Sequence, residues 1–225
     1  MIHITGDIHA EKKRMETIGQ QGEHPWGKND TLIVCGDFGF VFTGSEQEQA
    51  FLDQLERLPY QICFCDGNHE NFDLLETYET EEWNGGTIHR IRRNIRHLMR
   101  GNVYEIEGKT FFVMGGAYSR DKYLRAEGRS WWPQEMPNGD EYSDAIRALH
   151  RHDDQVDYII THTAPTSVVK RMGEFPRQEE RQLNDFLDWL DHFVYYDKWF
   201  FGHWHRDEDV DPYHRAVWQD LVTVP

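Results

Sequence analysis

Cysteine, positive charge and long apolar runs are all scarce in this sequence, and each scarcity removes a class of protein. There are three cysteines, Cys35, Cys63 and Cys65. All fall inside strand-like runs, form no CxxC pair and cannot all pair among themselves. Such a set fits buried free thiols in a reducing cytoplasm rather than a disulfide framework. Cys63 and Cys65 share one face of a strand, which suits packing better than metal binding. Twenty-four basic residues stand against 40 acidic ones, a formal charge of −16 over 225 residues. That balance argues against a non-specific nucleic-acid binder, which needs a basic face to displace counterions, and against an anionic membrane surface as partner. The surplus acid reads as a solvated surface. No run is long enough to span a bilayer, and residues 1–7 lead straight into a strand without a basic n-region or an apolar h-region. The expected location is therefore cytoplasmic. No internal repeat, low-complexity run or linker is visible, so residues 1–225 are expected to form one domain, with ample length for a large core.

What the chain does have is a set of five short blocks: Gly6-Asp7-Ile8-His9, Gly36-Asp37-Phe38-Gly39, Gly67-Asn68-His69-Glu70, Thr161-His162-Thr163 and Gly202-His203-Trp204-His205. Each follows an apolar or β-branched run, and these runs predict buried strands over 2–6, 31–36, 61–66, 110–117, 158–162 and 198–202. Helical spacing lies between them. Ser45 and Glu48 have the separation of a capping box ahead of Phe51, Leu55 and Leu58. Leu183, Phe186, Leu187, Leu190 and Phe193 line one helix face. Ser143 is expected to cap a shorter helix carrying Ile146 and Leu149. Residues 87–107 read as short strands with a turn at Gly101-Asn102. Strands alternating with helices predict an α/β layered fold with ligands at the strand ends. Residues 118–142, rich in Trp, Arg, Gly and Pro, break the pattern and read as a functional loop or lid.

Asp, Asn and His are the side chains that hold hard or borderline divalent metals. One residue separates Asp7 from His9, and strand alternation would turn both toward one ion; His203 and His205 repeat the spacing. Asp37 stands alone in its block and is the candidate carboxylate to bridge two cations. Such cations, about 3.5–4 Å apart, clamp both oxygens of an in-line displacement at phosphorus. The remaining histidines, among them His24, His89, His97, His150, His152, His192 and His214, read as surface or hydrogen-bonded residues, and His3 as strand packing.

The order and types of the five blocks resemble the calcineurin-like metallophosphoesterases over nearly the whole chain. The resemblance implies a four-layer α/β/β/α sandwich and a dinuclear site. Its first metal would take Asp7, His9, Asp37 and His205, and its second Asp37, Asn68, His162 and His203. It further implies phosphomonoester or phosphodiester hydrolysis by a metal-bridging hydroxide, with His69 assisting the leaving group and Glu70 positioning its neighbours. Mn²⁺ is the first metal to expect, with Fe, Zn, Ni or Co also compatible with the donors.

Asp37 is followed by Phe38-Gly39-Phe40-Val41, without the Asp and Arg that the protein-phosphatase branch carries there. That departure argues against phosphoprotein dephosphorylation and leaves open what orients His69. Asp66 stands three residues earlier on a strand, a spacing that can turn the two side chains apart. In the 118–142 segment Arg120, Lys122, Arg125 and Arg129 form a basic cluster before Trp131 and Trp132. Arg125 and Arg129 are the candidate substrate contacts, and cations beside aromatic rings suit a phosphate bearing a planar group, such as a nucleotide. The charge balance weighs against a nuclease. A protein-interaction scaffold, the role of the retromer subunit that shares this fold, would be marked by a lost ligand or a lost catalytic histidine, and neither is lost here.

Overall fold

A computed structural model describes residues 1–21 and 24–224. The strands in chain order are β1 (Ile2–Thr5), β2 (Thr31–Val34), β3 (Gln61–Phe64), β4 (Thr80–Trp83), β5 (Gly86–Arg92), β6 (Ile95–Leu98), β7 (Asn102–Ile106), β8 (Lys109–Met114), β9 (Tyr158–Thr161), β10 (Lys198–Phe201), β11 (Glu208–Asp209), β12 (His214–Ala216) and β13 (Val222–Val224). They build two sheets, ordered β13-β1-β2-β3-β6-β5-β4 and β11-β12-β10-β9-β8-β7. The strands that lead into the five blocks pair in parallel, β1 with β2 and β2 with β3 in one sheet, β9 with β10 in the other. Their carboxyl ends therefore open along one edge of each sheet.

Period-two alternation inside fully buried strands sorts side chains into layers. Ile33, Cys35, Cys63 and Cys65 point inward with Phe111, Val113, Ile160 and Phe200 to form the core between the sheets. Leu32, Val34, Ile62 and Phe64 point the other way. They pack beneath α1 (Lys12–Thr17), α2 (Glu46–Leu55) and α3 (Phe72–Leu75), which contribute Met15, Phe51, Leu52 and Leu75. On the second sheet Phe112, Met114, Ile159, Trp199 and Phe201 face α4 (Gly139–Arg151), α5 (Thr166–Arg171) and α6 (Arg181–Phe193). The result is the expected four-layer α/β/β/α sandwich. The three cysteines are free and buried in the central layer. Among the described residues, no helix is long and apolar enough to cross a membrane.

Several local expectations need correction. Ser143 does not cap a helix. It lies inside α4 and donates to the Gly139 carbonyl, while Asn138 caps with its side chain accepting from the Asp140 and Glu141 amides. The helix therefore absorbs the last four residues of the 118–142 segment. At α2, Ser45 caps as expected, but Glu48 does not return to the Ser45 amide. Its carboxylate accepts instead from the amides of Phe42, Thr43 and Gly44, tying down the loop after the second block. Leu58 lies beyond the end of α2, and Phe193, the last residue of α6, is 56% exposed. Of the histidines read as surface or hydrogen-bonded, His89, His97 and His214 are buried and hydrogen-bonded.

Candidate metal centre

Four of the blocks begin just after their strands end, the Thr161-His162-Thr163 block begins at the last residue of β9, and that changes the reason for their geometry. Asp7, His9, Asp37, His203 and His205 all have positive φ, between 29° and 67°. Side chains with a short polar group tolerate this left-handed region best, at a cost of about 1–3 kcal/mol each. Strand alternation thus does not aim Asp7 and His9, as the spacing suggested; tight turns do, and they bring the Asp7 and His9 side chains within 4.0 Å. His203 and His205 split apart instead of sharing one target. His205 Nε2 lies 3.6 Å from Asp7 Oδ1, whereas His203 Nδ1 lies 3.0 Å from Asn68 Oδ1.

Two glycines explain why the turns can be so close. A Cβ on Gly36, where φ is 87°, would sit 2.1 Å from His162 Nδ1, and one on Gly67 would sit 2.1 Å from Asp37 Oδ1. Only glycine leaves that space to the functional side chains.

Asp37 stands at the middle of the cluster. Its Oδ2 is 3.6 Å from His9 Nε2 on one side and 3.4 Å from His162 Nε2 on the other. His162 Nδ1 donates to the Cys35 carbonyl at 2.8 Å, which aims Nε2 at Asp37 and at Asn68 Oδ1, 3.0 Å away. The Asn68 amide is held by its Nδ2, which donates to Ser119 Oγ, so its oxygen faces His162 and His203. Asp7, His9 and His205 gather at the more exposed end of the cluster, Asn68, His162 and His203 at the other.

Electrostatics indicate what the cluster can hold. Burial pushes the Asp7 carboxyl up to about 7, with His162 opposing and the Asp37 carboxylate adding to the rise. Burial acts on Asp37 in the same direction, but His162, His69 and His9 outweigh it and hold that carboxyl well below its usual range. His162 is correspondingly raised to about 10, Asp37 overcoming the effect of burial on the ring. Two buried carboxylates share one imidazolium, and the Nε2 atoms of His9 and His205 meet at 3.1 Å. Converging lone pairs beside excess buried negative charge fit divalent cations, and the mixed carboxylate, amide and imidazole donors suit the Mn, Fe and Zn range.

His69 sits beside the cluster, its amide donating to Asp37 Oδ1 at 2.8 Å. Arg125 reaches it from the loop: Nη1 donates to His69 Nδ1 at 2.7 Å, and the guanidinium is itself held by both oxygens of Asp121 at 2.8 Å. Asp66 plays no part there. It faces away and pairs with Arg100 and His97. Arg129 is exposed and lines no part of the cleft, whereas Arg120 lines it, its guanidinium lying over the Trp204 ring at 4.5 Å. Trp132 is buried, its Nε1 donating to Asp73, and so anchors the loop. Glu70 is buried and accepts from the Phe38 amide, and burial pushes its carboxyl well above the usual range. The spacing of the sequence gave no access to four further residues: Arg14, which donates to the Asp7 carbonyl, Ser119, Asp121, and Trp218, which stacks on His205 at 5.2 Å. Only Arg120, in the basic cluster, carried a signal.

No curated protein matches the chain. The family model described as calcineurin-like phosphoesterase matches residues 1–207, a span that carries all five blocks and the strands that present them. The chain belongs to the calcineurin-like phosphoesterase family, whose chemistry is metal-dependent hydrolysis of phosphoesters.

Proposed function

We propose that this protein hydrolyses small-molecule phosphodiesters with two divalent cations, Mn²⁺ the first to try. One would be held by Asp7, His9, Asp37 and His205, the other by Asp37, Asn68, His162 and His203. Bound there, such ions would offset the charge of the phosphoryl oxygens and supply an acidified water at neutral pH.

The chain's own residues act on the other side of the reaction. Arg125 Nη1 lies 2.7 Å from His69 Nδ1 and Nη2 lies 3.3 Å from Nε2; with the shorter contact accepted by Nδ1, the ring proton is carried on Nε2. Burial lowers the His69 pKa, with Arg125 adding to the effect, so the ring is neutral near pH 7 and serves as an N–H donor to the departing oxygen. Asp121 keeps Arg125 in place, the orienting role for which Asp66 is turned the wrong way.

The observation that carries the preference for diesters is the state of Arg120, which lines the cleft, and of Arg125, which lies against His69. Arg120 is paired with Glu174 at 3.8 Å and Arg125 with Asp121 at 2.8 Å. Each guanidinium already faces a carboxylate that offsets its charge, although Arg120 Nε keeps no hydrogen-bond partner, so a monoanionic diester suits the site better than a dianionic monoester. Arg120 over Trp204 offers a flat cationic edge to a planar substituent, which supports a nucleotide-like substrate.

The test is hydrolysis of bis-p-nitrophenyl phosphate against p-nitrophenyl phosphate by metal-stripped protein reloaded with Mn²⁺. Metal-dependent turnover favouring the diester is expected, with His69→Ala slower by about 10²–10⁴-fold and Asp37→Asn inactive. A preference for the monoester would remove the diester assignment. No turnover of either ester with both ions bound would sink the hydrolytic reading of this site.

A further inference from the structure

A second cavity, of about 540 Å³, shares no lining residue with the cleft. Its walls are the α3 side chains Phe72 and Leu75, Met99 after β6, and Pro133 and Met136 from the segment before α4. These present an apolar slot of the size that takes a small organic ligand.

The polar groups in the slot select its chemistry. Arg100 is buried and fully engaged, donating to Asp66, to the carbonyls of Gln134 and Glu135, and to Glu141. It has no donor left for an anion, and Glu76 and Glu141 on the rim repel one. What remains is His89, which is 7% exposed. Its ring lies edge to edge with that of His97, the two planes 8° apart and the centroids 5.2 Å apart, and the two Nδ1 atoms lie 2.9 Å apart. His97 Nε2 lies 3.2 Å from Asp66 Oδ1. With both rings neutral this chain has one consistent order. Asp66, whose Oδ2 accepts from Arg100, accepts at Oδ1 from His97 Nε2–H; His97 Nδ1 accepts from His89 Nδ1–H; His89 Nε2 is then a bare acceptor. Burial lowers the His89 pKa to about 4, so that lone pair is present at neutral pH.

We propose that this cavity binds an uncharged, planar heteroaromatic molecule of about purine size, with a ring N–H donating to His89 Nε2 and its faces held between the apolar walls. An acceptor fixed by a buried relay rejects a ligand that cannot donate, because the lone pair would be left unpaired. Binding here requires neither metal nor turnover.

The experiment is calorimetric titration of the metal-loaded protein at about pH 8, well above the value of about 4 to which burial lowers His89. Benzimidazole and 1-methylbenzimidazole are the probes, sharing one ring system, the second carrying a methyl group in place of the N–H. One saturable site per chain is expected, with benzimidazole bound at least about tenfold more tightly. His89→Phe should erase that preference, Met136→Trp should fill the slot and abolish binding of both probes, and Asp37→Asn should leave binding unchanged. Near-ultraviolet circular dichroism checks that the variants fold; should Met136→Trp fail to fold, His89→Phe decides. The proposal is overturned if neither probe saturates, if His89→Phe keeps the preference, if a folded Met136→Trp still binds, or if Asp37→Asn removes binding.

Discussion

Arg125 and Arg129 lie four residues apart in one basic cluster, yet only Arg125 touches His69. Arg125→Ala should therefore lower kcat by about ten- to a hundredfold through loss of the His69 orientation, while Arg129→Ala should match the wild type. Asp121→Asn should fall between them, since it loosens Arg125 without removing it. Equal kinetics for Arg125→Ala and Arg129→Ala would show that the loop does not serve His69. Sequence supplied the cluster but could not choose within it, because the choice depends on how the loop folds back across 56 residues to meet the third block. The seven candidate metal-holding side chains were legible from the resemblance of the five blocks, in order and type, to a known family, since few combinations of Asp, Asn and His recur at successive strand ends. Their aim was not legible. It comes from left-handed turns at Asp7, His9 and Asp37 rather than from strand alternation.

At the scale of the element, Ser45 and Glu48 separate two functions that a capping box would combine. Ser45 satisfies one amide of α2, so Ser45→Ala should cost about 1 kcal/mol. Glu48 satisfies three amides of the preceding loop, and Glu48→Ala should cost about 2–3 kcal/mol, since hydrogen bonds to a charged acceptor are lost and the amides are left without it. Urea unfolding of the two variants measures both; a larger loss for Ser45→Ala would contradict the loop-tethering role. Strands were readable as apolar runs because β1, β2, β3, β8, β9 and β10 are buried on both faces. The α4 start was misjudged because Ser143 and Asn138 are both good cap residues, and tertiary packing of Tyr142 against Phe186 favours the earlier one.

Across the whole molecule, two sheets and two helical layers leave a buried polar network between α3, the β5–β6 pair and α4. Its pH response has a definite sign. His89 titrates at about 4 when folded and near 6.5 when unfolded. The unfolded chain therefore takes up the proton first as pH falls, and stability drops progressively between about pH 6.5 and pH 4. Above that window the group has no effect. Thermal melts across it should show a shallower acid slope for His89→Phe than for the wild type; parallel slopes would mean that His89 is as easily protonated in the fold as outside it.

The chain sequence by itself determined the donor chemistry of the candidate metal centre and the strand ends that carry it. Those rest on residue type and short-range period, both of which are local. Only the tertiary structure decided which strand face meets which layer, which arginine reaches His69, and that Asp66, His97 and His89 form one relay beside a cavity. Each of these depends on contacts between segments tens of residues apart, such as His97 with Asp66 and Arg125 with His69. A period of two or 3.6 residues states that a side chain is buried, but not what it is buried against.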